Sequence, residues 1–213
     1  MTDALILTDT DAIADLGRYA GRARSLDAEG AMRLQAVGSV LAAWVGVLPG
    51  HGLMGDGTVL GLRTFALAEP ADVDLTVPLG AVTDRTARTD LGTRFPFPPT
   101  RAFPQWGALS PPRGGWEPLG HIASESLVTA AREGITEIGE GAGPGSGALA
   151  VAELRTRVWG RTLSLTDGED AVTAGAGFAA YGLGFLAPAG TVAVHRSGAW
   201  RRVSCPGGYV LIR

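Results

Sequence analysis

The chain's imidazoles are His51, His121 and His195, so histidine chemistry has three places to occur. His51 lies in Pro49-Gly50-His51-Gly52, five residues before Asp56, in a glycine loop whose backbone could come close to a ligand. His51 and Asp56 beside Arg63 are an example of the dispersed residues that a small-molecule enzyme would use. The plainer alternative is a solvent-exposed turn histidine. His121 precedes Ser124, Glu125 and Ser126, residue types favoured in the first turn of a helix, and these read as helix-entry groups. A Ser-His-Asp triad can be drawn on paper from His51 or His195. No G-x-S-x-G elbow exists to present the serine.

The other common chemistries lack their parts. All eighteen basic side chains are arginine, which excludes Schiff-base and P-loop lysine chemistry. The lone thiol, Cys205 in Ser204-Cys205-Pro206-Gly207-Gly208, has no identifiable base nearby and reads as a small residue entering a turn. H-x-x-x-H, H-E-x-x-H, C-x-x-C and EF-hand patterns are missing, so a metal would need ligands gathered from distant positions. Gly143-Pro144-Gly145-Ser146-Gly147-Ala148 matches G-x-G-x-x-A ahead of a helix, with Asp167 near the spacing of a ribose-binding acid. The stretch before it, Glu133 to Glu140, carries three glutamates, which a buried parallel strand would not. A helix–helix linker is the simpler account, and no cofactor is expected.

The most distinctive stretch runs from Leu91 to Glu117 and shows neither strand nor helix period. It holds Phe95, Phe97, Phe103, Trp106 and Trp116 among several prolines. Long structureless loops in compact domains are usually functional or linking, and five aromatics argue against plain disorder. Three readings stand: an ordered arm wrapping the core, an arm that binds a ligand or a partner, and a polyproline ligand for another domain.

Composition narrows the partners. At 46% hydrophobic and 18% charged the chain is globular, and its net charge of −3 argues against nucleic acid or anionic lipid as the main partner. Arg196, Arg201 and Arg202 could sit on the wing of a winged helix. The would-be recognition helix, Glu169 to Phe185, opens acidic and has no arginine, so DNA reading is not expected. Two uncharged runs, Leu34–Gly55 and Ala171–Val194, are broken by Gly and Pro and do not read as membrane spans. The Met1-Thr2-Asp3-Ala4 start lacks a basic n-region, and a cytoplasmic location is the default expectation. Abundant Ala, Gly, Pro, Arg and Val without Lys or Asn fits the GC-rich codons of a high-GC bacterium.

These residues must be carried by an ordered frame. Asp9-Thr10-Asp11 opens a helix with Ile13, Leu16, Ala20 and Ala23 on one face. Alternation around Met32, Leu34 and Ala36, a Gly38-Ser39 turn, the Val40–Leu48 run, Thr58–Leu67 and Val73–Val77 predict a four-stranded meander. Pro78 opens a short helix through Arg88. A stripe of Ala123, Leu127, Ala130, Gly134 and Ile138 predicts a helix, Leu149–Val158 a second, and the capping pattern Thr166-Asp167-Gly168-Glu169 a third reaching about Phe185. On that third helix Ala171, Gly175 and Ala179 would let the backbone approach a sheet. Three strands, Thr191–Arg196, Ala199–Ser204 and Tyr209–Arg213, close the chain, the first two as a hairpin around Ser197-Gly198.

Strands, then helices, then strands predict an α+β fold with a mainly antiparallel sheet. The expected layout is one domain over 1–213 with an arm at 91–117, or two subdomains at 1–90 and 118–213. The preferred function is a non-enzymatic binding or accessory protein using the aromatic arm and the sheet that it covers. Its partner would be a protein, a small ligand or a second copy. The alternatives are the His51, Asp56 and Arg63 enzyme and a structural or oligomerising protein.

Overall fold

The computed structural model describes residues 3–52, 55–143, 147–167 and 170–213. Among them are five α-helices and ten strands whose assigned pairings are antiparallel, an α+β protein. The chain divides into two compact units, Met1–Pro49 with Leu60–Ser110 and Gly50–Val59 with Pro111–Arg213.

The first unit opens with β1 (Ala4–Ile6) and α1 (Thr10–Leu26). Asp9 caps α1 by accepting the Ala12 N–H at 2.7 Å, and Ile13, Leu16, Tyr19, Ala20 and Ala23 form the buried face. Removing that cap with Asp9→Ala should cost about 1 kcal/mol, read as a small drop in the thermal midpoint. The expected meander is instead two long neighbouring strands, β2 (Ala31–Leu48) and β3 (Val59–Pro78). Gly38 takes a φ of 59° without leaving β2, and residues 37–40 and 68–70 are exposed. Gly, Ser, Glu and Pro there punctuate an exposed mid-strand rather than turns, because a strand tolerates such residues where it is bent or uncovered. Arg33 of β2 clamps Asp74 of β3 through Nε at 2.7 Å and Nη2 at 2.6 Å. Helix α2 (Leu79–Thr86) follows Pro78, and β4 (Arg94–Pro96) pairs back onto β1.

The second unit contains β5 (Glu117–Ala123), α3 (Ser124–Gly141), α4 (Ala148–Trp159), β6 (Thr162–Ser164), β7 (Ala171–Thr173), α5 (Ala174–Gly182), β8 (Thr191–Ser197), β9 (Trp200–Cys205) and β10 (Gly208–Ile212). Its main sheet runs in the order β10-β9-β8-β5. Residues 57 and 58 lie along Arg213, which accepts from Gly57 at 2.7 Å and donates to Thr58 at 3.0 Å. Helix α5 begins later than its sequence suggests. Residues 171–173 are a strand paired with β6, and Gly168 and Glu169 of the expected capping box lie outside the described residues. Two β-branched residues in Ala171-Val172-Thr173 suit that pairing better than a helical turn. Ala171 of the expected smooth face lies in β7 rather than on α5, while on the opposite side of the helix from Gly175 and Ala179, Gly177 packs on the Leu127 backbone of α3.

Helix α3 keeps Leu127, Ala131 and Gly134 buried. Its expected entry residues, Ser124, Glu125 and Ser126, form its first turn. Ser124 is buried, and α3 has no side-chain cap bond because its N-cap residue is Ala123.

Candidate functional site

Counting outward from the turn at Gly198-Ala199 builds the site. The φ of 55° at Gly198 suits the first central position of a two-residue hairpin turn, and Ser197 then faces Trp200. Two residues further on, His195 faces Arg202, and beyond them Ala193 faces Ser204. Across β9, Ser204 faces Tyr209 and Arg202 faces Leu211. Across β8, Ala193 faces His121 and His195 faces Pro118. Directly opposed residues share a face, with Cβ atoms about 5 Å apart. One face of this sheet therefore carries His121, His195, Arg202, Ser204 and Tyr209. The other carries Ile122, Val192, Val194, Val203, Cys205, Val210 and Ile212, all buried.

Arg202 is the centre of the polar face. Its guanidinium carbon lies 4.6 Å from the Trp116 ring centroid and 5.4 Å from that of Tyr209, a cation between two aromatic rings. Among the described residues it forms no ion pair. Seven buried side-chain nitrogen or oxygen atoms lack a hydrogen-bond partner among the described residues, and four belong to this face: His195 Nδ1, Arg202 Nε, Ser204 Oγ and Arg213 Nε. Unmet buried donors and acceptors each cost about 1–3 kcal/mol, so their convergence calls for an explanation. Burial pushes the His195 imidazole below its usual range, and the charges of Arg202 and His121 push it the same way.

His121 is held from the side. Thr166 donates both its backbone N–H and its hydroxyl to the His121 carbonyl, each at 2.8 Å. A Cβ at Gly120 would stand 2.7 Å from the Asp167 carbonyl, so only glycine lets this loop lie against β5. The loop delivers Asp167 Oδ2 to His121 Nδ1 at 3.0 Å, which leaves Nε2 for another partner.

The residues singled out in the sequence are dispersed. His51 and Asp56 pair through their backbones, His51 N to Asp56 O at 2.7 Å and Asp56 N to His51 O at 3.0 Å. The His51 ring instead meets Thr156, Nε2 to Oγ1 at 3.3 Å. The Thr156 hydroxyl already donates to Ala152 O, so the imidazole Nε2 is the donor in this contact. Arg63 belongs to the first unit, where it pairs with Asp15 and lies 5.8 Å from the Phe65 centroid.

The 91–117 stretch is likewise not one element. It contains β4 and two 3₁₀ turns, too short to show a period. Phe95 is 1% exposed opposite Leu5, Phe97 donates its backbone N–H to Asp3, and Trp106 sits on Gly46. Phe103 is 93% exposed. Trp116 belongs to the second unit and to the Arg202 face. The dinucleotide-like motif falls largely on 144–146, outside the described residues. No group of three or more metal-ligating side chains is found among the described residues, and no helix there is long and apolar enough to cross a membrane.

Cys205 lies on the apolar face, where burial pushes its thiol up to about 12. Iodoacetamide at pH 8 should therefore leave the folded protein largely unmodified and alkylate Cys205 readily in urea. Fast alkylation of the folded chain would contradict this burial.

Comparison with known families divides the chain close to where the two units divide. Residues 1–106 match a family model described as Domain of unknown function (DUF8010), and residues 111–213 match a second, Domain of unknown function (DUF8185). The protein is thus similar to two families in succession, and the histidine–arginine face lies entirely within the second match. No curated protein matches the chain.

Proposed function

We propose that this protein is a non-enzymatic binding protein whose small-molecule ligand rests on the sheet face around Arg202. The carrying observation is the Arg202 guanidinium between Trp116 and Tyr209, with His195 Nδ1 and Ser204 Oγ unpartnered beside it. Aromatic walls with a few converging polar groups are what small-molecule sites use to bind and orient. Of the five aromatics of the 91–117 stretch, Trp116 alone takes part in this reading, and the net charge of −3 supports a small ligand over nucleic acid.

The test is a thermal-shift screen of neutral, cationic and anionic metabolites against the wild type and Arg202→Met. Compounds that stabilise the wild type and not the variant support the reading. Compounds that stabilise both equally, or a screen without stabilisation, count against it.

A second reading, an enzyme acting on a small molecule, is favoured by the His121–Asp167 pair. A carboxylate on Nδ1 orients an imidazole whose Nε2 can then move a proton. Any turnover found in a broad substrate assay should fall at least about a hundredfold in His121→Gln under this reading. Full activity in that variant would exclude it.

A further inference from the structure

Resting on the binding reading above, we propose that the ligand of this face is an anion, and that its binding favours protonation of His195. On β9 the opposed residue is Arg202 and on β5 it is Pro118; His121, opposed to Ala193, lies further along the same face, and on β10 Tyr209, Leu211 and Arg213 share it. The carboxylate nearest this array is Asp167, and it is engaged by His121. Glu117 pairs with Arg196, and Asp170 with Arg201. Arg202 thus stands as a cation without a counter-ion, beside an imidazole whose Nδ1 has no partner and a serine hydroxyl that can donate. An anion accepted by Arg202 and Ser204 would supply the negative charge that both the guanidinium and a protonated His195 lack.

The direction of the coupling follows from the same contacts. Without an anion, burial and the Arg202 charge keep His195 neutral at pH 7. A negative charge within about 4–6 Å favours the protonated ring and raises its pKa by about one unit or more. By linkage, the anion binds more tightly as pH falls through the pKa of the bound state. The unliganded fold runs the opposite way: the contribution of a neutral His195 is present above pH 6.5 and lost as pH drops through the lowered value.

The test uses sulfate, whose own charge is constant over the range, added to the full chain at fixed ionic strength. Ring ¹H–¹⁵N spectra give the His195 titration directly, so the result does not depend on a variant folding. Sulfate should shift the Arg202 and His195 signals, raise the His195 midpoint by about one unit, and bind about fivefold more tightly at pH 5.5 than at pH 7.5. His195→Gln should bind with a Kd that no longer changes with pH. An unmoved His195 midpoint with sulfate bound, or a pH dependence that persists in His195→Gln and vanishes in His121→Gln, would overturn the proton assignment. If sulfate leaves the face untouched while a neutral compound shifts the same signals, the anion assignment fails and the binding reading stands. If no compound shifts them, the binding reading itself fails.

Discussion

Gly177→Val is expected to cost the second unit about 3 kcal/mol or more, enough to lower its thermal midpoint by roughly 10–15 °C. A Cβ at this position would stand 2.6 Å from the Leu127 carbonyl oxygen and 3.3 Å from its Cα. Those atoms are backbone on α3, so relief requires two helices to separate rather than one side chain to turn. Helix α5 is rich in Ala and Gly because it is buried nearly all round, with Ala174, Gly175, Ala176, Gly177, Ala179 and Ala180 out of solvent. Small side chains bury little area, so the close approach of two backbones replaces bulk as the source of packing. Gly139→Ala on α3 is the control. A Cβ there meets nothing within 4 Å, and the intrinsic helix preference of alanine should stabilise by up to about 1 kcal/mol. Calorimetry on the two variants should therefore give shifts of opposite sign. A neutral Gly177→Val would mean that α3 and α5 do not pack as described.

Arg202→Met should weaken ligand binding by about ten- to a hundredfold while leaving the fold nearly as stable. A hydrogen bond to a charged group contributes about 1.5–3 kcal/mol, and methionine keeps the stem that lies between Trp116 and Tyr209 while removing every donor. The separation of the two effects is the informative part. A variant that unfolds would show that Arg202 mainly glues Trp116 to the sheet. A variant that folds and binds as before would show that the guanidinium touches no ligand. Isothermal titration with a compound from the screen, alongside a urea melt, distinguishes the three outcomes.

How much of this was legible in the sequence depended on the range over which each signal acts. Helix α1 was readable because its cap, its period and its stop are local. The closing hairpin was readable from Ser197-Gly198 between apolar alternations. Strand β4 and the β6–β7 pair were not, since three-residue strands carry no period and their partners are remote in the chain. The long strands β2 and β3 were cut in two because Gly38 and Pro70 punctuate a sequence in the same way whether the chain turns or only bends.

The candidate site has a usable signal in the sequence of the closing hairpin. Once the turn is placed, His195 must face Arg202 and Ala193 must face Ser204. That pairing alone moves interest from a helix-reading wing to a polar sheet face. Two parts could not have been found this way. Trp116 reaches Arg202 from outside the hairpin, and Asp167 reaches His121 through a loop held by Thr166. The trio of His51, Asp56 and Arg63 illustrates the reverse error. Neighbours in sequence with suitable chemistry were bound to other partners, Thr156 for His51 and Asp15 for Arg63.

The central claim is the place of binding, and amide and side-chain chemical-shift mapping with a compound from the screen tests it most directly. The account predicts that the perturbed signals gather at Trp116, His121, His195, Arg202, Ser204 and Tyr209. Shifts gathered instead at His51 to Asp56, or at Phe95 to Trp106, would contradict it.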